Sequence, residues 1–296
     1  MQNAIINING QIQGPSAAKI SVFDRAYLYG DSLYEVLRTY RGQFWLLDEH
    51  LSRLEKSAEL CRMTLGQSRA TYRDEIHRTY KAFQAKIGKP NVDAYIRLIV
   101  SRGNGKIGFG LPCLETSTLF TIIVQPLEAP TPEQFKKGIK VKIGPRLRND
   151  RRALDPAMKS GNYLNSVLAY LEASFDGYDD ALLCNSENHV TEGTTFNIFY
   201  SRRGILATPP LDIGILDGIT RMKVIQLAKD LNIPVREVRF PKERLYEADE
   251  VFLTSSIREV LPITQVDQIK IGKGVCGPIT QALQDRYQKH VFQELT

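Results

Sequence analysis

The segment Pro126-Leu-Glu-Ala-Pro-Thr-Pro132 constrains this chain more than any other stretch. Its prolines lack ladder donors and have a fixed φ, so it is incompatible with a central strand and reads as a stiff connector. It lies inside a chain of 296 residues, which exceeds the usual single-domain length. The sequence therefore predicts a first domain over 1–126, a linker over 127–137 and a second domain over 138–296.

Before the connector, Ala4 to Gln13 has the composition of a hairpin turning at Asn9-Gly10, with the residue pair favoured by a type I′ turn. Val36 to Tyr40 and Gln43 to Leu47 form a second β-rich pair around Arg41-Gly42. Asp48 reads as the N-cap of a helix through Leu60, and a second helix is expected over Ala70 to Phe83. Ala94–Val100 and Thr118–Val124 read as buried strands joined by the Gly-rich stretch Arg102 to Pro112. Beyond the connector the pattern predicts strands near Val141, at 180–184, 197–200 and 250–254, with helices over about 162–175, 220–231 and 277–292.

Hydrophobic residues make up 43% and charged residues 24%, which suits a folded globular chain. The net charge of +6 comes from 39 basic and 33 acidic side chains scattered along the sequence. This scatter does not imply nucleic acid, although an anionic ligand suits the balance. Cys61, Cys113, Cys184 and Cys276 lie far apart without CxxC spacing, and the four histidines lack ligand spacing. Reduced thiols in a cytoplasm and no metal are the expectation. No apolar run approaches a membrane span.

Four short segments carry chemistry-bearing residues. The first is Lys159-Ser-Gly-Asn-Tyr163-Leu, placed at a helix start; Lys159 alone reads as a solvated lysine and Tyr163, one turn on, as a packing residue. Glu192-Gly-Thr-Thr-Phe-Asn197 alone is a turn into a strand. Ile215-Leu-Asp-Gly218-Ile219-Thr220 opens a helix whose first amides suit a phosphate, against an ordinary capped helix. Thr254-Ser255-Ser256-Ile257 follows a strand with hydroxyls suited to an anion, against a plain turn.

Taken in order, together with Tyr29-Gly-Asp-Ser-Leu-Tyr34-Glu-Val36-Leu-Arg38 and Glu49-His50-Leu-Ser-Arg53, these segments resemble the class IV, or fold-type IV, pyridoxal-phosphate aminotransferases over nearly the whole chain. The resemblance implies a two-domain α+β and α/β architecture of the D-amino-acid aminotransferase type. It has a small N-terminal α+β domain, a larger C-terminal mixed α/β domain and pyridoxal 5′-phosphate at their interface.

It implies that Lys159 is the Schiff-base and proton-transfer lysine and that Glu192 faces the pyridine nitrogen, keeping it protonated. Tyr163 would neighbour the phenolic oxygen. Arg53, Ile219, Thr220, Ser255 and Ser256 would surround the phosphate; outside the resemblance Arg53 reads as a surface partner of Glu49.

For the substrate, the resemblance points to Tyr29, Tyr34, Arg38, Tyr95, Arg97 and Ile257. It implies a homodimer acting on an amino acid and a 2-oxo acid. The branched-chain L-amino acids with 2-oxoglutarate come first. Tyr34-Glu-Val36 is closer to D-amino-acid enzymes, whose Arg-x-His pair is missing from Asn104–Phe109. D-amino-acid or (R)-amine transamination, aminodeoxychorismate lysis and a non-catalytic binding role remain the alternatives.

Overall fold

The computed structural model describes residues 2–295, which divide into two compact units. Of these residues, the first unit comprises 2–128 with the short segment 158–162 and residue 295, and the second comprises 129–157 with 163–294. Residues 158–162 thus leave the domain expected from the sequence and join the first unit.

In the first unit the chain runs β1 (Ile5–Ile8), β2 (Gln11–Gln13), α1 (Arg25–Tyr29), β3 (Ser32–Tyr40), β4 (Gln43–Phe44), α2 (Leu47–Leu60), α3 (Arg69–Ile87), β5 (Ala94–Ser101) and β6 (Leu119–Pro126). The strands form one antiparallel sheet ordered β2-β1-β6-β5-β3-β4. Both expected hairpins are present: Asn9 and Gly10, and Arg41 and Gly42, all have positive φ, as type I′ turns require.

The second hairpin is shorter than expected, because β4 stops at Phe44 and α2 begins at Leu47. Asp48 is inside that helix; the N-cap is Leu46, at φ 54 and without a side-chain cap. Along β3 and β5 the period-2 alternation sorts side chains cleanly. Leu33, Leu37, Ile96 and Leu98 face the core with Leu51, Leu54, Ile76 and Phe83 of α2 and α3. Tyr34, Val36, Arg38, Tyr95 and Arg97 occupy the opposite face, as the pairings Val36↔Arg97 and Arg38↔Tyr95 require.

The second unit contains α4 (Pro132–Lys137), β7 (Ile139–Leu147), α5 (Leu164–Phe175), β8 (Asp180–Cys184), β9 (Val190–Gly193), β10 (Asn197–Arg202) and β11 (Ile205–Thr208). There follow α6 (Ile219–Asp230), β12 (Val235–Glu237), α7 (Glu243–Tyr246), β13 (Glu250–Ser255), β14 (Glu259–Val266), β15 (Ile269–Lys270) and α8 (Pro278–Glu294). Its nine strands make a mixed sheet ordered β12-β11-β10-β13-β14-β7-β8-β9, with β15 on β14.

Val141, Leu182, Ile198, Leu253 and Ile263 centre its core. The stretch read as a connector holds α4: Pro132 occupies its first turn, where the missing N–H costs nothing, and Thr131 and Gln134 form a capping box. Among the described residues no helix is long and apolar enough to cross a membrane.

Candidate functional site

Lys159 does not begin a helix. The helix starts at Leu164 with Tyr163 at its N-cap, so Tyr163 does not follow Lys159 by a helical turn. The Lys159 segment is instead an extra edge piece on β3. The amide of Tyr34 donates to Lys159 O at 2.9 Å and that of Gly161 to Ser32 O at 2.8 Å, while Ser160 bridges Leu33.

The amide of Lys159 itself donates to Ser57 Oγ of α2 at 3.2 Å. The docking is close: a Cβ on Gly161 would stand 2.3 Å from Ser32 Oγ, so any larger residue requires that hydroxyl or the segment to shift. The backbone is thus fixed by three hydrogen bonds, and its half-buried side chain points across the sheet face that carries Tyr34. Lys159 Nζ donates to Tyr34 Oη at 3.1 Å, and the guanidinium carbon of Arg97 lies 4.2 Å from the Tyr34 ring centroid. An amine, a phenol and a guanidinium share one face, which suits a carboxylate-bearing ligand presented to the amine.

Arg53 is buried, and its partner is Glu35, not Glu49. The fork is bidentate, with Nε to Oε1 at 2.8 Å and Nη2 to Oε2 at 2.7 Å. His50 Nδ1 lies 2.7 Å from the same Oε2. His50, Arg53 and Ser57 are spaced so that α2 turns all three to one side.

Burial alone would raise the Glu35 carboxyl, but the Arg53 guanidinium and the His50 bond outweigh it and hold the value at about 2. Burial pushes the His50 imidazole below its ordinary value despite Glu35. A neutral His50 donating to an ionised Glu35 is the consistent state.

The remaining expected substrate residues of this unit divide. Arg38 stacks on Tyr40, 4.0 Å from its centroid, and reaches Asp93 at 3.9 Å. Tyr95 is its ladder neighbour. Tyr29 belongs to a clasp around the Gly-rich loop. Its Oη accepts the Gly108 amide at 3.0 Å, and Arg25 donates to Gly108 O at 2.7 Å and to Asp31 at 2.9 Å.

In the second unit Glu192 is buried and its carboxylate is held by several donors. Arg148 donates to Oε1 from Nε at 2.9 Å, with its Nη2 also 2.9 Å away. The Leu216 amide donates to Oε2 at 3.0 Å, and Asn197 Nδ2 lies 3.4 Å from it. These donors satisfy both oxygens of the carboxylate. Sequence reasoning singles out neither Arg148 nor Asn197 as a site residue: 44 residues separate Arg148 from its partner, so no local spacing signals the pair.

Asn197 also fixes the start of α6, its Nδ2 donating to Leu216 O at 3.0 Å. Gly218, the N-cap, brings no side-chain cap, and a Cβ there would stand 1.9 Å from Asn197 Oδ1. Ile219 and Thr220 are buried at this helix start. Thr254 Oγ1, buried on β13 opposite Asn197, has no hydrogen-bond partner among the described residues. Beyond it Ser255 Oγ accepts the Arg258 amide at 3.0 Å, closing the turn that holds Ser256 and Ile257.

An uncapped helix start, an orphaned hydroxyl and two turn serines are the donors a phosphate monoester needs, and an anionic carboxylate suits a protonated pyridine nitrogen. The residues present fit pyridoxal 5′-phosphate. Among the described residues no cluster of three or more His, Cys, Asp or Glu side chains has the arrangement to hold a metal ion.

Comparison with known proteins agrees with this chemistry. The model of the amino-transferase class IV family matches residues 32–266. A Methanocaldococcus jannaschii protein, provisionally named a branched-chain-amino-acid aminotransferase, is 38% identical over 96% of this chain and 95% of its own. The D-alanine aminotransferase of Bacillus licheniformis is 32% identical over 97% and 96%. Among solved structures, the T.th. branched-chain amino acid aminotransferase complexed with N-(5′-phosphopyridoxyl)-L-glutamate superposes with a TM-score of 0.87 at 32% identity. The match covers 97% of this chain and 93% of that one.

Proposed function

The chain belongs to the class IV aminotransferase family, and on that premise we propose that it exchanges the amino group of a branched-chain L-amino acid with the oxo group of 2-oxoglutarate. The products are the branched 2-oxo acid and L-glutamate, so atoms balance without a further reactant. Pyridoxal 5′-phosphate supplies, when bound, the electron sink for the pair left at the substrate Cα.

The chain's own residues do the rest. Lys159 Nζ, beside the Tyr34 phenol, takes the Cα proton and holds it for return. Glu192, held by Arg148 and the Leu216 amide, holds a proton on the pyridine nitrogen. Tyr163 donates toward the phenolic oxygen. Arg53, the Ile219 and Thr220 amides, Ser255 and Ser256 bind the phosphate, and Tyr29, Tyr34, Arg38, Tyr95, Arg97 and Ile257 border the substrate.

The observation that carries this reading is the clamped Lys159, with its amine and the Arg97 guanidinium on one aromatic ring. A cation so near the reacting amine favours a substrate carboxylate there.

A D-amino-acid specificity is the second reading, favoured by Tyr34-Glu-Val36 and by the Bacillus licheniformis relative. Each methylene discriminates by only about 1–3 kcal/mol, so half-reactions decide. Loss of the cofactor's absorbance band with L-leucine and L-glutamate, and not with D-alanine or (R)-1-phenylethylamine, is the expected result; the reverse order would transfer the assignment.

The functional unit in this proposal is a cytoplasmic homodimer. Ile107, Phe109 and Leu111, exposed by 75%, 82% and 67% on the Gly-rich loop, are the kind of patch a partner covers.

A further inference from the structure

Arg53 is the cofactor-phosphate arginine in the proposal above, yet its guanidinium is already engaged edge-on by a carboxylate. Glu35 is fully buried on the core face of β3 and meets Nε and Nη2 in a planar fork, the geometry that fixes a guanidinium in rotation as well as position. His50, 2% exposed and one turn earlier on α2, closes the other side of Glu35 through Nδ1.

A lone buried carboxylate is costly, so Glu35 persists there because both neighbours satisfy it. One turn beyond Arg53, Ser57 anchors the Lys159 amide. The same inward stripe of α2 therefore holds both the guanidinium and the lysine backbone.

We propose that Glu35, held in turn by His50, is a positioning residue that fixes the Arg53 guanidinium for the cofactor's phosphate. This rests on the assignment of Arg53 to that phosphate, and a measurement can separate the two claims. A purely architectural Glu35 would affect every ligand alike. A Glu35 that orients Arg53 affects only ligands bearing a phosphate.

The test uses the full-length chain stripped of cofactor and titrated separately with pyridoxal 5′-phosphate and with pyridoxal, the absorbance band serving as readout. The ratio of the two dissociation constants reports the phosphate contribution. Arg53→Ala should collapse that ratio. Glu35→Gln, isosteric but uncharged, should weaken pyridoxal 5′-phosphate roughly 10-fold to 100-fold, by analogy with the loss of a residue that orients a metal ligand, and leave pyridoxal unchanged.

His50→Leu should weaken it in the same selective way and His50→Asn, whose amide replaces the Nδ1 donor, should restore it. If Arg53→Ala collapses the ratio while Glu35→Gln weakens both ligands equally or neither, the positioning role is overturned and the Arg53 assignment stands. If Arg53→Ala leaves the ratio intact, that assignment fails and the inference with it. Should Glu35→Gln not fold, the two His50 variants decide: equal ratios overturn the proposal, loss with Leu and rescue with Asn support it.

Discussion

Glu35 and His50 make acid sensitivity a residue-scale property. The folded value of Glu35, about 2, lies below its ordinary 4.5, so its contribution to stability is complete above about 4.5 and vanishes as the pH falls toward 2. His50 is also lowered from its ordinary 6.5; the fold accepts its neutral form, so its contribution is complete above 6.5 and declines as the pH falls below that value. Both slopes have the same sign. The urea midpoint should therefore fall continuously from pH 7 downward, and His50→Asn should flatten the upper part of that fall; a midpoint unchanged between pH 7 and 5 would remove the argument.

Arg148 carries a second expectation. Arg148→Met leaves the Glu192 carboxylate buried without its cation, a loss of about 3–5 kcal/mol by the usual cost of breaking a buried pair. Denaturant titration measures it, and a loss under about 1 kcal/mol would mean that the Leu216 and Asn197 donors suffice. Lys159, Glu192 and Arg53 are the candidates that ordered motifs single out in the sequence. Glu35 and Arg148 are not among them, because an ion-pair partner 18 or 44 residues away leaves no periodic trace.

At the scale of elements, the Lys159 segment matters most. Asn162-Tyr-Leu-Asn-Ser-Val-Leu-Ala has helical spacing, and extending that spacing back through Lys159 misassigns a piece of chain that pairs with the edge of β3. The contact joins residues 125 apart, beyond the reach of any window. The hairpins at Asn9-Gly10 and Arg41-Gly42 are legible because their turns require residues that tolerate positive φ. The first turn of α2 escapes a reading that caps it at Asp48, since Leu46 adopts a left-handed conformation that its side chain does not advertise.

The edge docking of Lys159 yields a prediction of its own. Gly161→Ala would drive a methyl into Ser32 Oγ and should cost about 1–3 kcal/mol as the segment shifts, with weaker cofactor retention. Thermal unfolding with and without pyridoxal 5′-phosphate measures both effects. Gly177→Ala, where nothing lies within 4 Å but φ is +81, controls for backbone strain alone; equal cofactor retention in the two variants would argue against the docking role.

For the whole molecule, the described residues divide into two units with separate cores, one around Leu54 and Ile96, the other around Ile198 and Leu253. The apolar loop tip suggests a test of assembly. On the proposed homodimer with this loop at its interface, Phe109→Asp should shift the sedimenting species toward monomer; a sedimentation coefficient that is the same in both proteins, or already that of a monomer, would contradict that placement.

The central claim is that Lys159 carries the cofactor. The direct measurement is the absorbance spectrum of the protein supplied with pyridoxal 5′-phosphate, followed by borohydride reduction and peptide mass analysis. A near-ultraviolet or visible band, a phosphopyridoxyl mass on the Lys159 peptide and loss of both in Lys159→Ala are the expected result. A band that survives Lys159→Ala, or a label on a different lysine, would contradict it.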